Sequence, residues 1–428
     1  MKDLLASANP HTQLEAETPG NGRGSLPLPR VLRWFWSGSL LAVVLTIVVA
    51  WAEYRMGWPQ ERWAVLNTLD WKDLLEYIPT FHLLHTEAFF HSTDNVAYPP
   101  FADVLFAFLY SFASPVKVYL IIAVIALAGA LLGLRRRLVH YGIDAKVASP
   151  LLLTILLCSY PMWRLVPQGN IELFLWIGTA AGVWAYLRGH DDAAAVLWGL
   201  AGATKLYPVL FLILFLPRKR WRAFLAGVAT FVGVTVLSAA YVGPSIAMAL
   251  KGSLTNVFGY QGLRVGEQSW RELVGNHSLF TLVKGAATLA GFSATRLALP
   301  YYACGAIVFA VLFFWRVRKM PVANQLLAVS LFMVMLPTIS YTHPLANLYA
   351  PWFVLVFLAI RADRAGARIP HLDMMILLFL PVFSPFALFT VPALHIYGGV
   401  AQACMLVGLF VCATVFPFEQ PVASKALS

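Results

Sequence analysis

Long apolar stretches separated by short basic connectors set the pattern of this chain. Runs that match a hydrocarbon core, which takes about 20 helical residues, fall at roughly 33–52, 117–134, 171–187, 223–242, 298–315, 325–340, 371–388 and 396–416. Shorter apolar stretches at 98–113, 148–163, 193–203, 206–217, 277–292 and 350–360 read as tilted spans, half-helices or re-entrant pieces. Together they predict about 11 to 13 crossings. The strands of a membrane barrel would alternate polar and apolar residues. These runs are continuous, so the expectation is an all-α polytopic membrane protein.

Composition supports the same reading: of 428 residues 60% are hydrophobic and only 12% charged, too little polarity to solvate a water-facing surface. The net charge of +11 does not point to nucleic acid, because the basic residues gather between spans. Arg23, Arg30 and Arg33, the triplet Arg135, Arg136 and Arg137, then Arg218, Lys219, Arg220 and Arg222, then Arg316, Arg318 and Lys319, then Arg361, Arg364 and Arg368 all fall on the cytoplasmic side by the positive-inside rule. Residues 1–32 and 417–428 read as cytoplasmic tails, the first polar and rich in Pro and Gly, around a transmembrane domain over 33–416. The expected extracytoplasmic loops are about 53–97, 164–170, 243–276 and 341–349. One conflict of parity follows. If 98–113 and 117–134 both crossed, the Arg135 triplet would lie outside, so one of the two is expected not to span.

The polar chemistry gathers on the outer side. Seven of the 20 acidic residues, Glu53, Glu61, Asp70, Asp73, Glu76, Glu87 and Asp94, lie in the first external loop, where 73–84 has the spacing of an amphipathic surface helix. Tyr98-Pro99-Pro100 closes that loop and stiffens the entry to the next helix. Gln168 and Asn170 lie at the start of an apolar run, where amides either cap the helix or bond a ligand's hydroxyls. Lys205 separates two half-length apolar segments, and an ammonium at headgroup depth is either kept for a phosphate or snorkels to the interface. Arg264 and Arg271 in the second external loop offer guanidinium forks for phosphate or pair with nearby acids. His343, in Ser340-Tyr341-Thr342-His343-Pro344, has three readings: a phosphate donor, a proton carrier or a satisfied interface histidine. His82 and His85 lack a further ligand pair for a metal, and the four cysteines sit inside apolar segments without metal spacing.

Five segments in order carry a resemblance: Asp73-Leu74-Leu75-Glu76-Tyr77, Tyr98-Pro99-Pro100-Phe101, Gln168-Gly169-Asn170, Gly202-Ala203-Thr204-Lys205-Leu206-Tyr207-Pro208 and Gly275-Asn276-His277-Ser278. The set, over roughly 70 to 350, resembles glycosyltransferase family 87, the mycobacterial-type polyprenol-phosphate-mannose-dependent mannosyltransferases of the GT-C fold. The resemblance implies a GT-C membrane fold with its active site on the extracytoplasmic face of the plasma membrane. It also implies a hexose donor, mannose by preference, held on a polyprenyl phosphate, and inverting transfer to a hydroxyl of a lipid or glycan acceptor. Asp73 stands where the family has its catalytic base, and Lys205, Arg271 and His343 are expected to hold the donor phosphate. Tyr77, Tyr98, Gln168, Asn170 and Asn276 are expected to touch the donor or acceptor sugar. Fixed cations on the leaving phosphate make a metal or other cofactor unnecessary, so none is expected, and the partners are the two substrates and membrane lipids. Where the family commonly carries a Ser-Pro…Trp…His-His stretch, this chain departs from it with the His343 segment. The alternatives are a lipid-linked glycan transporter or flippase, for which the chain shows no evident internal repeat, and a polymerase or ligase that uses a diphosphate-linked glycan.

Overall fold

The computed structural model describes residues 27–56, 71–91, 98–267, 276–384, 390–391 and 396–418. The architecture is all-α, as the continuous apolar runs require, apart from a two-residue antiparallel pair that sets Thr390 opposite Tyr397 and Val391 opposite Ile396. Among the described residues six segments are long and apolar enough to cross a membrane: Arg30–Val48, Pro115–His140, Trp221–Val242, Ala298–Lys319, His343–Arg364 and Gly398–Val415. Six shorter apolar helices accompany them: Pro100–Tyr110, Ala145–Leu157, Glu172–Leu187, Leu279–Leu289, Val322–Met335 and Leu372–Phe383.

Helix length bears on the parity conflict. Helix Pro100–Tyr110 has 11 residues, which rise about 16 Å, roughly half a hydrocarbon core. Helix Pro115–His140, with 26 residues, is long and apolar enough to make the crossing that follows. It is apolar all round and largely exposed, with Ile121, Val124, Ile125 and Leu132 bare. In a helix of this composition such a surface faces lipid. Val322–Met335 is the opposite case, buried on every side from Ala323 to Met335, and with Tyr349–Arg364 it forms the centre of the bundle. Phe309 and Phe332 stack there at 4.0 Å, and Phe35 of the first helix packs on Trp352 at 4.6 Å.

Lys205 does divide two half-length elements. Helix Asp191–Thr204 ends at it, and a 3-10 helix, Tyr207–Phe215, starts after Leu206 with Pro208 in its first turn. At the opposite end of the pair, Arg220 meets Asp191 at 3.5 Å and Arg222 meets Asp192 at 3.2 Å. The helix that follows, Trp221–Val242, lies so close that a Cβ on Gly199 would be 2.5 Å from the Gly227 carbonyl oxygen. Small residues at such a crossing let two backbones approach, the usual means of packing helices in lipid.

Several boundaries differ from expectation. Residues 27–32 do not belong to a tail: the first helix starts at Arg30, and Leu28, Val31 and Leu32 are buried. At the other end Phe418 is buried too, its N–H donating to Asn324 Oδ1 at 2.8 Å. Residues 73–84 form two single-turn helices, Lys72–Leu75 and Ile78–Phe81, rather than one surface helix, because Pro79 has no N–H to continue the ladder. The stretch 243–276 holds a 22-residue helix, Ile246–Glu267. The stretch 341–349 holds a buried 3-10 helix, His343–Leu348.

Candidate functional site

The site begins with a strained turn. Trp71 takes a left-handed backbone conformation, φ 51°, which costs about 1–2 kcal/mol for a residue with a Cβ. Two strand-like hydrogen bonds hold that turn against 167–168: the Trp71 N–H donates to the Pro167 carbonyl at 3.2 Å and the Asp73 N–H to the Gln168 carbonyl at 3.1 Å. Leu74 is fully buried beneath them, and its carbonyl accepts from Tyr110 Oη at 2.5 Å. Gly169 is required here. Its φ is +69°, and a Cβ at that position would come within 2.5 Å of Leu74 Cβ.

The short stretch 168–172 then reaches Arg164, His343, Asp73 and Lys205 through alternate residues. Gln168 satisfies both its neighbours with its amide oxygen toward Arg164, accepting from Nη2 at 2.7 Å and Nη1 at 3.2 Å, and its nitrogen donating to His343 Nε2 at 2.5 Å. Asn170 donates from Nδ2 to Asp73 Oδ2 at 2.6 Å, while its Oδ1 accepts from the Glu172 N–H at 2.9 Å. Its backbone carbonyl accepts from Tyr119 Oη at 2.9 Å, and the same hydroxyl lies 3.1 Å from the Leu165 carbonyl. Glu172, fully buried, takes the Lys205 ammonium at 2.6 Å on one oxygen and the Tyr207 hydroxyl on the other.

Of the expected site residues, Asp73, Gln168, Asn170, Lys205 and His343 are thus brought into one connected network. His343 Nε2 lies 3.7 Å from Asp73 Oδ2, too far for a hydrogen bond, and Gln168 occupies its lone pair instead. Burial raises the Asp73 pKa above the ordinary carboxylate value. The hydrogen bond from Asn170 and the charges of Arg164, Lys205 and Lys72 act in the opposite sense. Asp73 and Lys205 each keep 23% of their side-chain surface exposed, whereas Glu172 keeps none. A ligand can thus reach the first two and not the third.

Tyr98 joins this cluster, its ring 5.4 Å from Lys205 Nζ, and Tyr77 packs edge-on against it at 5.9 Å. Burial raises both phenol pKa values, which keeps the hydroxyls neutral. Asn276 has a different neighbourhood. Its Oδ1 accepts from the Ser278 and Ser340 N–H groups at 3.1 and 2.9 Å, its Nδ2 donates to the Thr338 carbonyl at 3.4 Å, and the side chain is fully buried. That amide stitches 276–278 to 338–340. Arg271, Asp70, Glu61 and Asp94 lie outside the described residues. Among the described residues no group of three or more His, Cys, Asp or Glu could hold a metal ion. His82 and His85 hydrogen-bond to the Pro79 and Tyr241 carbonyls respectively.

Two members of the site, Arg164 and Glu172, escaped the sequence reading. Both carried a signal, since each is a charge at the edge of an apolar run, where an ionisable group calls for a partner.

Fold and site together define a multi-pass membrane protein with an ionisable centre at one end of its bundle. The sequence model of glycosyltransferase family 87 matches residues 96–338, more than half of the chain, and the protein belongs to that family. It is similar to a polyprenol-phosphate-mannose-dependent alpha-(1-2)-phosphatidylinositol pentamannoside mannosyltransferase of Mycobacterium tuberculosis (strain CDC 1551 / Oshkosh), 26% identical over 284 residues. The match covers 64% of this chain and 60% of that relative's length.

Proposed function

We propose that the protein is a membrane glycosyltransferase that moves a hexose from a polyprenyl-phosphate carrier to a hydroxyl of a lipid or glycan acceptor at the extracytoplasmic face. Mannose is the sugar named for the mycobacterial relative, and it is the first donor to try. The observation that supports this reading is the meeting of a part-exposed carboxylate with fixed cations. Asp73 lies within the electrostatic reach of Arg164, Lys205 and Lys72.

The chemistry such an arrangement serves is a single displacement. The acceptor oxygen forms a bond to the anomeric carbon while the bond from that carbon to the phosphate oxygen breaks. Asp73 takes the acceptor's proton as general base, and the electron pair leaves on the polyprenyl phosphate. Attack opposite the leaving group inverts the anomeric centre. Arg164 and Lys205 are placed to stabilise the charge that grows on the phosphate. Lys205 has three N–H donors and gives one to Glu172, so two remain for phosphate oxygens. His343 Nε2 accepts from Gln168 and its ring also hydrogen-bonds to the Arg164 backbone, so its role in this reading is to hold the 164–168 segment rather than to donate to phosphate.

The test is transfer by purified protein from a panel of monophosphate-linked isoprenoid sugars, with products scored by mass. Asp73→Asn should lower kcat by about 10²- to 10⁴-fold and leave the protein folded and monodisperse. Full activity in that variant removes Asp73 from the role of base. Transfer only from diphosphate-linked glycans, or none with substrate movement across vesicles instead, replaces the proposal with one of the alternatives.

A further inference from the structure

We propose that Asn170 is the positioning residue for the base, holding Asp73 by one oxygen so that the other is presented to the acceptor, and not a contact to sugar. This rests on the reading of Asp73 as general base. Both ends of the Asn170 amide are already committed inside the protein, Nδ2 to Asp73 at 2.6 Å and Oδ1 to the Glu172 N–H at 2.9 Å, and the residue is 6% exposed. Little of it remains for a hydroxyl of the substrate. The rest of the residue is fixed as well, because Tyr119 Oη donates to its carbonyl. A 2.6 Å hydrogen bond from so immobile a donor selects the orientation of the carboxylate and leaves Oδ1 as the oxygen that can take a proton.

The same bond has an electrostatic consequence. A hydrogen bond donated to a carboxylate favours its charged form, and this one opposes the penalty of burial. Asn170 also ties the base to the cation. One residue further along the alternation, Glu172 holds Lys205, and the N–H of that same Glu172 is the donor to Asn170 Oδ1. Movement of Asn170 would therefore disturb the base directly and the ammonium through a single backbone link.

Two variants separate positioning from scaffolding. Asn170→Asp keeps the acceptor for the Glu172 N–H and loses the donor to Asp73, placing a second carboxyl against the first. Asn170→Ala loses both bonds. In N170A the acidic limb of the kcat/KM profile should move up by about one pH unit. Its kcat should fall by about 10- to 100-fold while the donor KM stays within about twofold. In N170D the two carboxyls share a proton, and the acidic limb should move further in the same direction. A readout independent of turnover is pH-dependent infrared difference spectroscopy of the protonated carboxyl band, assigned to Asp73 by its loss in D73N. Its midpoint should rise in both variants. A midpoint that stays at the wild-type pH in N170D overturns the proposal, as does a rise in donor KM with an unmoved acidic limb, which would make Asn170 a sugar contact. If the wild-type protein transfers no polyprenyl-phosphate sugar, the functional reading fails separately, and the infrared midpoint still decides what Asn170 does to Asp73.

Discussion

At the scale of the residue, Asp73 is held in a state that folding alone would not choose. Its pKa in the folded protein lies above the ordinary value, chiefly through burial, so its ionised form opposes folding. The sign follows from linkage. Below the unfolded pKa, about 4, the carboxyl is protonated in both states and contributes nothing. As pH rises from there a penalty develops, and above the raised folded-state value it is present in full. Asp73→Asn should therefore raise the unfolding temperature at pH 7, and the gain should vanish near pH 4, where the two proteins should melt together. Thermal unfolding of both in the same detergent measures this. Activity has the opposite dependence: a base must be ionised, so the acidic limb of kcat/KM should lie above the pH of an ordinary aspartate. A residue that weakens the fold and is needed for turnover fits a site selected for function over stability.

At the scale of the element, the Glu172–Lys205 pair joins the start of helix Glu172–Leu187 to the break between Asp191–Thr204 and Tyr207–Phe215. A fully buried carboxylate with its cation removed is left uncompensated, which costs about 3–5 kcal/mol. Lys205→Met should be destabilised by roughly that amount, and Lys205→Met with Glu172→Gln by clearly less, since the double change leaves no buried charge. Denaturant unfolding through the full cycle of four proteins gives the coupling. A double variant no more stable than K205M would mean that the pair adds nothing to this junction. The sequence made Lys205 visible because it interrupts apolar residues, and its two flanking half-elements followed from the same pattern. Glu172 carried only the weaker signal of an acid at the start of an apolar run, with no spacing partner that would mark it as the far half of an ion pair 33 positions away. Asn276 shows the same blindness from the other side. A polar residue at a presumed outer loop reads as available, and only the tertiary contact with Thr338 and Ser340 shows its amide at work on backbone.

At the scale of the molecule, long helices fix which end of the bundle carries the site. Tyr119, near the start of helix Pro115–His140, donates to the Asn170 carbonyl, and Arg137 stands eighteen positions later on the same helix. At 1.5 Å per residue that is about 27 Å, close to a hydrocarbon thickness. Arg137 and Arg364 both lie over the Tyr141 ring, at 5.9 and 5.6 Å, so two of the basic clusters share that far end. The pairs Arg220–Asp191 and Arg222–Asp192 lie at the end of helix Asp191–Thr204 remote from Lys205, in the same sense. On the positive-inside rule such clusters are cytoplasmic, and the Asp73 centre is then predicted on the other side, where a carrier-linked sugar would be used. The prediction is a labelling pattern. In a variant whose four cysteines, Cys158, Cys304, Cys404 and Cys412, are replaced, a single cysteine at the exposed Thr86 should react with a membrane-impermeant maleimide added to intact cells. A single cysteine at Arg136 should react only after the membrane is opened. The reverse pattern would place Asp73 in the cytoplasm and, with it, the donor; labelling of both positions from one side would mean that helix Pro115–His140 does not cross at all.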